Sequence, residues 1–291
     1  MFEISSYRNL RYAIFVLGTI LLQTWQSVRA DDWPTFHRDY ARSGVTTSEA
    51  ALLFPLDRQW SVPAGYTPLV YSEASPLIVG DKVFLSMYSA TAGVIVCHNL
   101  YTGTELWRGT ISNMNWATPT YESGFLYVTD WSGHAYRFDL TNSNPANWPT
   151  VPAWTYQMDP TNRAFFFNRA SPLVKTLSNG KKLALFLSWE PDNGHGRIFP
   201  FDAQNPQQFV WPQSAIDAIN NRNEEFYASP VLDGNRLILA TYKYTPGNPG
   251  IEDNAVVRAY NIDNGVLLWQ YPIPAESGTP VAISSSSLAR S

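Results

Sequence analysis

The chain has 291 residues, only 15% of them charged, and its net charge of −4 gives no basis for a nucleic-acid or anionic-membrane partner. Its 21 prolines and 17 glycines argue against long helices, while 11 Trp, 16 Tyr and 15 Phe suit pleated, half-buried strands, so the expected class is all-β. A single cysteine, Cys97, excludes an intramolecular disulfide and leaves the fold to rest on core burial.

Residues 1–30 read as a signal peptide. Arg8 and Arg11 form a basic start, Tyr12–Leu22 an apolar run, and Ser27-Val28-Arg29-Ala30 places small residues where a signal peptidase needs them. The apolar run is far shorter than the roughly 20 residues of a spanning helix, so cleavage after Ala30 is expected, with no membrane span in the mature chain from Asp31. No cysteine near residue 30 offers a lipid anchor. The expected location is secreted, periplasmic or cell-envelope.

From residue 74 onward the chain repeats. A small-small-Pro-apolar tetrad recurs as Ala74-Ser75-Pro76-Leu77, Ala117-Thr118-Pro119-Thr120, Ala170-Ser171-Pro172-Leu173, Ala228-Ser229-Pro230-Val231 and Gly278-Thr279-Pro280-Val281. The proline-to-proline intervals of 43, 53, 58 and 50 residues fit one four-stranded propeller blade each. After each tetrad comes an apolar strand: Lys82–Tyr88, Phe125–Trp131, Lys182–Trp189 and Arg236–Tyr242. A third strand follows: Gly93–Leu100, His134–Leu140, Arg197–Ala203 and Ala255–Ile262. A polar turn then leads to a short strand holding Trp107, Trp154, Trp211 or Trp269, and Trp60 holds the same place ahead of the first tetrad. The predicted blades span about 74–111, 117–158, 170–214 and 228–274, with a truncated blade at 278–291 and a closing strand near 58–62.

Two of the turns align without a gap: Cys97-His98-Asn99-Leu100-Tyr101-Thr102-Gly103-Thr104-Glu105-Leu106-Trp107, and Ala259-Tyr260-Asn261-Ile262-Asp263-Asn264-Gly265-Val266-Leu267-Leu268-Trp269. Asp139 and Asp202 stand in the Asn99 place of the other repeats. Glycine accepts the positive φ of such a turn, an Asp or Asn before it can accept from local amides, and the Trp can cross to the next blade. This pattern resembles the tryptophan-docking motif of the pyrroloquinoline-quinone (PQQ)-like β-propeller family, and Asp32-Trp33-Pro34-Thr35-Phe36-His37-Arg38-Asp39-Tyr40-Ala41-Arg42-Ser43-Gly44 is similar to the opening of many exported members. The resemblance covers residues 32–281. It implies a propeller of four-stranded antiparallel blades. About four blades are complete and a fifth is started, an incomplete ring and a truncated member, since the family has seven or eight.

The same resemblance implies two functions. One is an exported, non-catalytic scaffold that binds a protein or glycan through its inter-blade loops. The other is a fragment of a PQQ- and Ca²⁺-dependent alcohol or sugar dehydrogenase; one cysteine cannot form the paired-cysteine disulfide that many of those enzymes stack on the quinone. We expect the scaffold, with no cofactor, and assign no catalytic, cofactor-binding or metal-binding residue. Glu190–Gly196 is the most oxygen-rich loop, but its spacing is not that of an EF-hand and a hairpin turn is expected. His37-Arg38-Asp39 lacks the other kinase signatures, and His37, His98, His134 and His195 lack zinc-ligand spacing. Cys97 is expected buried and inert; no Gly-x-Ser-x-Gly elbow accompanies a Ser-His-Asp triad. Phe165–Phe167 and Asn220–Tyr227 lie in connections between blades, the former expected to pack on a neighbouring blade.

Overall fold

A computed structural model describes residues 32–43, 60–61, 72, 74–88, 92–158, 169–188, 196–222, 224–226, 228–243 and 253–273. The signal segment, Phe165–Phe167, residues 190–195 and the fifth tetrad lie outside the described residues.

The described chain folds into four consecutive antiparallel sheets. The first is β1 (Leu77–Val79), β2 (Lys82–Tyr88), β3 (Gly93–Asn99) and β4 (Glu105–Ile111), hydrogen-bonded in that order. The second is β5 (Thr120–Glu122), β6 (Phe125–Thr129), β7 (His134–Asp139) and β8 (Trp154–Gln157). The third holds β9 (Leu173–Thr176), β10 (Lys182–Ser188) and β11 (Arg197–Asp202). The fourth is β12 (Val231–Asp233), β13 (Arg236–Lys243), β14 (Asp253–Asn261) and β15 (Leu267–Pro272). Each meanders outward from a short inner strand that follows a tetrad, the blade architecture of an incomplete propeller.

The third sheet departs from expectation. Its fourth strand shrinks to a single bridge, Phe201 to Phe209, flanked by Asp202 N donating to Gln208 O at 2.8 Å and Val210 N donating to Pro200 O at 2.9 Å. Pro206 and Pro212, which lack N–H donors, bracket this stretch and stop the ladder. Immediately after Pro212 the chain forms a helix, α1 (Gln213–Asn220), that composition did not suggest. It buries Ile216 and Ile219, three apart on one face, against β11 and the third core.

The hydrophobic cores lie between sheets rather than within them. One joins Leu77, Phe84, Ile95 and Trp107 of the first sheet to Leu126, Tyr136 and Phe138 of the second. Another joins Tyr127 and Ala135 to Phe186 and Phe201; a third joins Leu185 and Ile198 to Leu237 and Tyr260. An isolated sheet would leave such faces in water, so neighbours stabilise one another by stacking. Cys97 lies in the first core, fully buried, and burial pushes its thiol up to about 12.

Candidate functional site

Three places could carry function: the hub where the inner strands meet, buried polar clusters beside the inter-sheet connections, and the outer edge of the last sheet.

The hub is built by the segment Asp32–Ser43, which crosses all four inner strands. Trp33 and Ile78 exchange N–H···O bonds of 2.6 and 3.0 Å, tying the segment to β1. Tyr121 N on β5 donates to Pro34 O at 2.8 Å. The Tyr40 hydroxyl reaches the backbone of Val174 on β9, and Leu232 N on β12 donates to Tyr40 O at 2.7 Å. Arg42, only 1% exposed, donates from Nε to Pro230 O at 3.1 Å and from Nη1 to Phe36 O at 2.6 Å. Nη1 also donates to Thr35 Oγ1 at 2.8 Å. Thr120 Oγ1 donates to Pro172 O at 2.7 Å, so at its 2.9 Å contact with Thr35 it must accept. The protons of this chain therefore all point one way, from Arg42 through Thr35 and Thr120 to Pro172, an alignment in which each bond polarises the next.

The tetrads complete the hub. Ser75 N donates to Thr118 Oγ1 at 2.9 Å and Ser171 N to Ser229 Oγ at 3.0 Å, so the hydroxyl in the second tetrad position serves the sheet before it. All five tetrads hold Ser or Thr there; that signal was present in the sequence, where the position reads merely as small.

Between the segment and the first sheet lies a cleft of about 560 Å³ lined by Trp33, Thr35, His37, Arg42, Ser43 and Ile78, among others. His37 belongs to a tight turn in which His37, Arg38 and Arg42 take φ of 54°, 75° and 55°. Asp39 fastens that turn, accepting from Ser43 N at 3.0 Å and Ser43 Oγ at 2.5 Å.

The buried carboxylates near the connections are committed to protein donors. Asp130 accepts from the Tyr136 hydroxyl at 2.6 Å and from His134 N at 2.9 Å, and lies 3.1 Å from His134 Nδ1. Burial, then the Asp130 charge, pushes the Tyr136 phenol up, so it stays a donor. His134 Nε2 has no hydroxyl partner among the described residues, so this Asp–His pair lacks the third member of a triad. Glu224, from the tract Asn220–Tyr227, takes both ends of Arg258: Nη1 donates to Oε2, and Nη2 to Oε1 at 2.7 Å. Thr241 Oγ1 donates to Glu224 Oε2 at 2.7 Å. A calcium ion needs six to eight oxygens. Asp130 and Glu224 spend theirs on neutral or cationic donors, and no group of three or more His, Cys, Asp or Glu among the described residues is placed to hold a metal. His98 donates from Nδ1 to Gly103 O at 2.9 Å and stacks on Trp60.

The recurring tryptophans differ in surroundings. Four indole N–H groups donate to a carbonyl of the following sheet's turn: Trp60 to Leu100 at 2.8 Å, Trp107 to Pro149 at 3.1 Å, Trp154 to Ala203 at 3.2 Å and Trp211 to Ile262 at 2.8 Å. In the second sheet the longer turn inserts Trp148, which meets Trp107 edge-on. Trp269, on β15, has no following sheet among the described residues and is 41% exposed. Every residue of β15 is exposed, and five of the seven exposed large hydrophobic side chains among the described residues lie within 266–271, including Tyr271 at 62%.

No helix among the described residues is long and apolar enough to cross a membrane. None of the curated proteins matches the chain. Among solved structures, a europium-containing methanol dehydrogenase is similar, with a TM-score of 0.59 at 14% identity over 87% of this chain and 50% of that one. The quinohemoprotein alcohol dehydrogenase of Comamonas testosteroni gives 0.52 at 15% identity, over 84% and 41%. The PilY1 C-terminal domain of Pseudomonas aeruginosa gives 0.50 at 13% identity, over 72% and 62%. The chain thus spans half the length or less of the two dehydrogenases, and these likenesses speak for the fold. Residues 57–208, just over half of the chain, match the family described as outer membrane protein assembly factor BamB. With its four stacked sheets and recurring tryptophans, the chain belongs to that family of PQQ-like propeller repeats.

Proposed function

We propose that this chain is an exported, non-catalytic scaffold of the cell envelope that holds a protein partner on the outer face of β15. The observation that carries the reading is the exposure of Trp269, Leu268 and Tyr271 on a strand whose counterparts in the other sheets are covered. The inner interfaces suggest what the partner would present: a sheet turn with a backbone carbonyl for the indole N–H, as at all four, and, as at two of them, a glycine under the ring, where Gly103 meets Trp60 and Gly265 meets Trp211. Two further facts support the reading. The family description is that of an assembly factor, and the carboxylates of Asp130 and Glu224 accept hydrogen bonds from protein donors.

Site-specific photocrosslinking in the native organism tests it. A benzophenone residue at Leu268 or Tyr271 should yield one discrete protein adduct, and the same residue at Tyr101 or Val151, exposed on other sheets, should not. Equal labelling at all four positions, or none at 268 and 271, overturns the proposal; an adduct of twice the chain's own mass would make the partner a second copy and overturn the assembly reading. The dehydrogenase alternative is met by adding PQQ and Ca²⁺ to the purified chain. We expect no quinone absorbance after desalting and no dye reduction by alcohols or sugars; stoichiometric retention defeats the non-catalytic reading.

A further inference from the structure

The hub cleft is independent of the β15 face. Among the described residues, two buried nitrogens on residues that line it have no hydrogen-bond partner: Nη2 of Arg42, which carries two N–H groups, and Nε1 of Trp33. The guanidinium is not idle, since its Nε and Nη1 make three bonds to Pro230, Phe36 and Thr35 that fix it in place. It lies 5.8 and 5.9 Å from the rings of Phe36 and Tyr40. Burial lowers its pKa only to about 10, so it remains a cation at neutral pH. Asp39, the acid whose charge acts on it, spends both carboxylate oxygens on Ser43. A buried cation with two N–H groups unbonded, on the same cleft lining as an unbonded indole N–H, is a site left open for a hydrogen-bond acceptor.

The backbone points the same way. His37, Arg38 and Arg42 are three non-glycine residues at positive φ within six positions, and such conformations gather where a loop is shaped for a ligand. The volume of about 560 Å³ falls in the range of small-molecule sites. Pro76 and Ile78 supply an apolar wall, while His37, Ser43 and Ser75 supply further polar groups.

We propose that this cleft binds a small carboxylate, taken by the Arg42 guanidinium and the Trp33 indole N–H. Two sources carry that chemistry in a cell envelope, the C-terminus of a peptide and a sugar acid. Calorimetric titration of the full chain with acetyl-trialanine, its C-terminal amide, glucuronate and glucose separates them. We expect saturable one-site binding of at least one acid, weakened about tenfold or more in its neutral twin, because charge-assisted bonds to arginine are roughly twice as strong as neutral ones. Which acid binds identifies the source. Trp33→Phe keeps the ring and deletes the donor, and should weaken the acid about fivefold with the melting temperature held. Arg42→Lys should abolish binding. The proposal is overturned if neither acid binds, if acid and neutral twin bind alike, or if folded Trp33→Phe binds as the unaltered chain does. The acid-against-neutral comparison needs no variant and decides even where Arg42→Lys does not fold.

Discussion

Gly265 takes a φ of 73°, and a Cβ added there would stand 2.5 Å from the Trp211 ring. Gly234 has a similar φ of 58° but open space around it. Both positions strain an L-residue, yet only one also overpacks an interface. Gly265→Ala should therefore cost about 2–4 kcal/mol and Gly234→Ala about 1 kcal/mol, read from urea unfolding midpoints. Cys97 supplies a second prediction at this scale. Its folded pKa, about 12, lies above the ordinary 9.0. Below pH 9.0 the thiol is neutral folded and unfolded, and its contribution is fully present; as pH rises through the window to about 12 the unfolded chain alone ionises and stability is lost. Between pH 9 and 10, before the buried tyrosines matter, Cys97→Ala should flatten part of the slope, by at most about 1.4 kcal/mol per pH unit. The native thiol should also resist a disulfide reagent that labels it in urea.

The outer edges of the first three sheets are stabilised by the sheet that follows, and the polar clusters pin the connections between them. Arg258 and Glu224, 6% and 12% exposed, join the stretch after α1 to β14. Arg258→Ala strands a largely buried carboxylate and should cost about 3–5 kcal/mol by denaturant unfolding. Elements differed in how legible they were. The tetrads and the turn Asn99–Gly103 announce themselves, because proline, glycine and an amide side chain each have one local job: Asn99 Oδ1 accepts from Tyr101 N and Thr102 N at 3.0 Å, and Gly103 takes φ 71°. The helix α1 was illegible because eight residues with two buried isoleucines give too short a period to separate from a polar connection. The truncated edge of the third sheet needed Pro206 and Pro212 to be weighed above Trp211. The hub cleft was illegible for a different reason: Trp33, Arg42 and Ser75 meet only in three dimensions, and Arg42 reads as one more charge in an exported opening.

At the scale of the whole molecule, the sheets are a stack and the segment Asp32–Ser43 is its tie. Removing residues 31–43 strips backbone bonds from β1, β5 and β12, together with the Arg42 chain. The sheets' far-UV signal should survive, but thermal unfolding should broaden and its midpoint fall by on the order of 10 °C in circular dichroism. The β15 face belongs to this scale too. Trp269→Ala should leave stability within about 0.5 kcal/mol, because the ring is 41% exposed with no covering sheet among the described residues, whereas Trp211→Ala, 3% exposed, should cost about 3–5 kcal/mol.

The tie also sets an order of events. Arg42 is made early, yet its bond to Pro230 joins residues 188 positions apart in sequence. That bond cannot form until Pro230 has been synthesised, so the chain carries this fastening half-closed while its earlier blades are made, and the tie shuts after them.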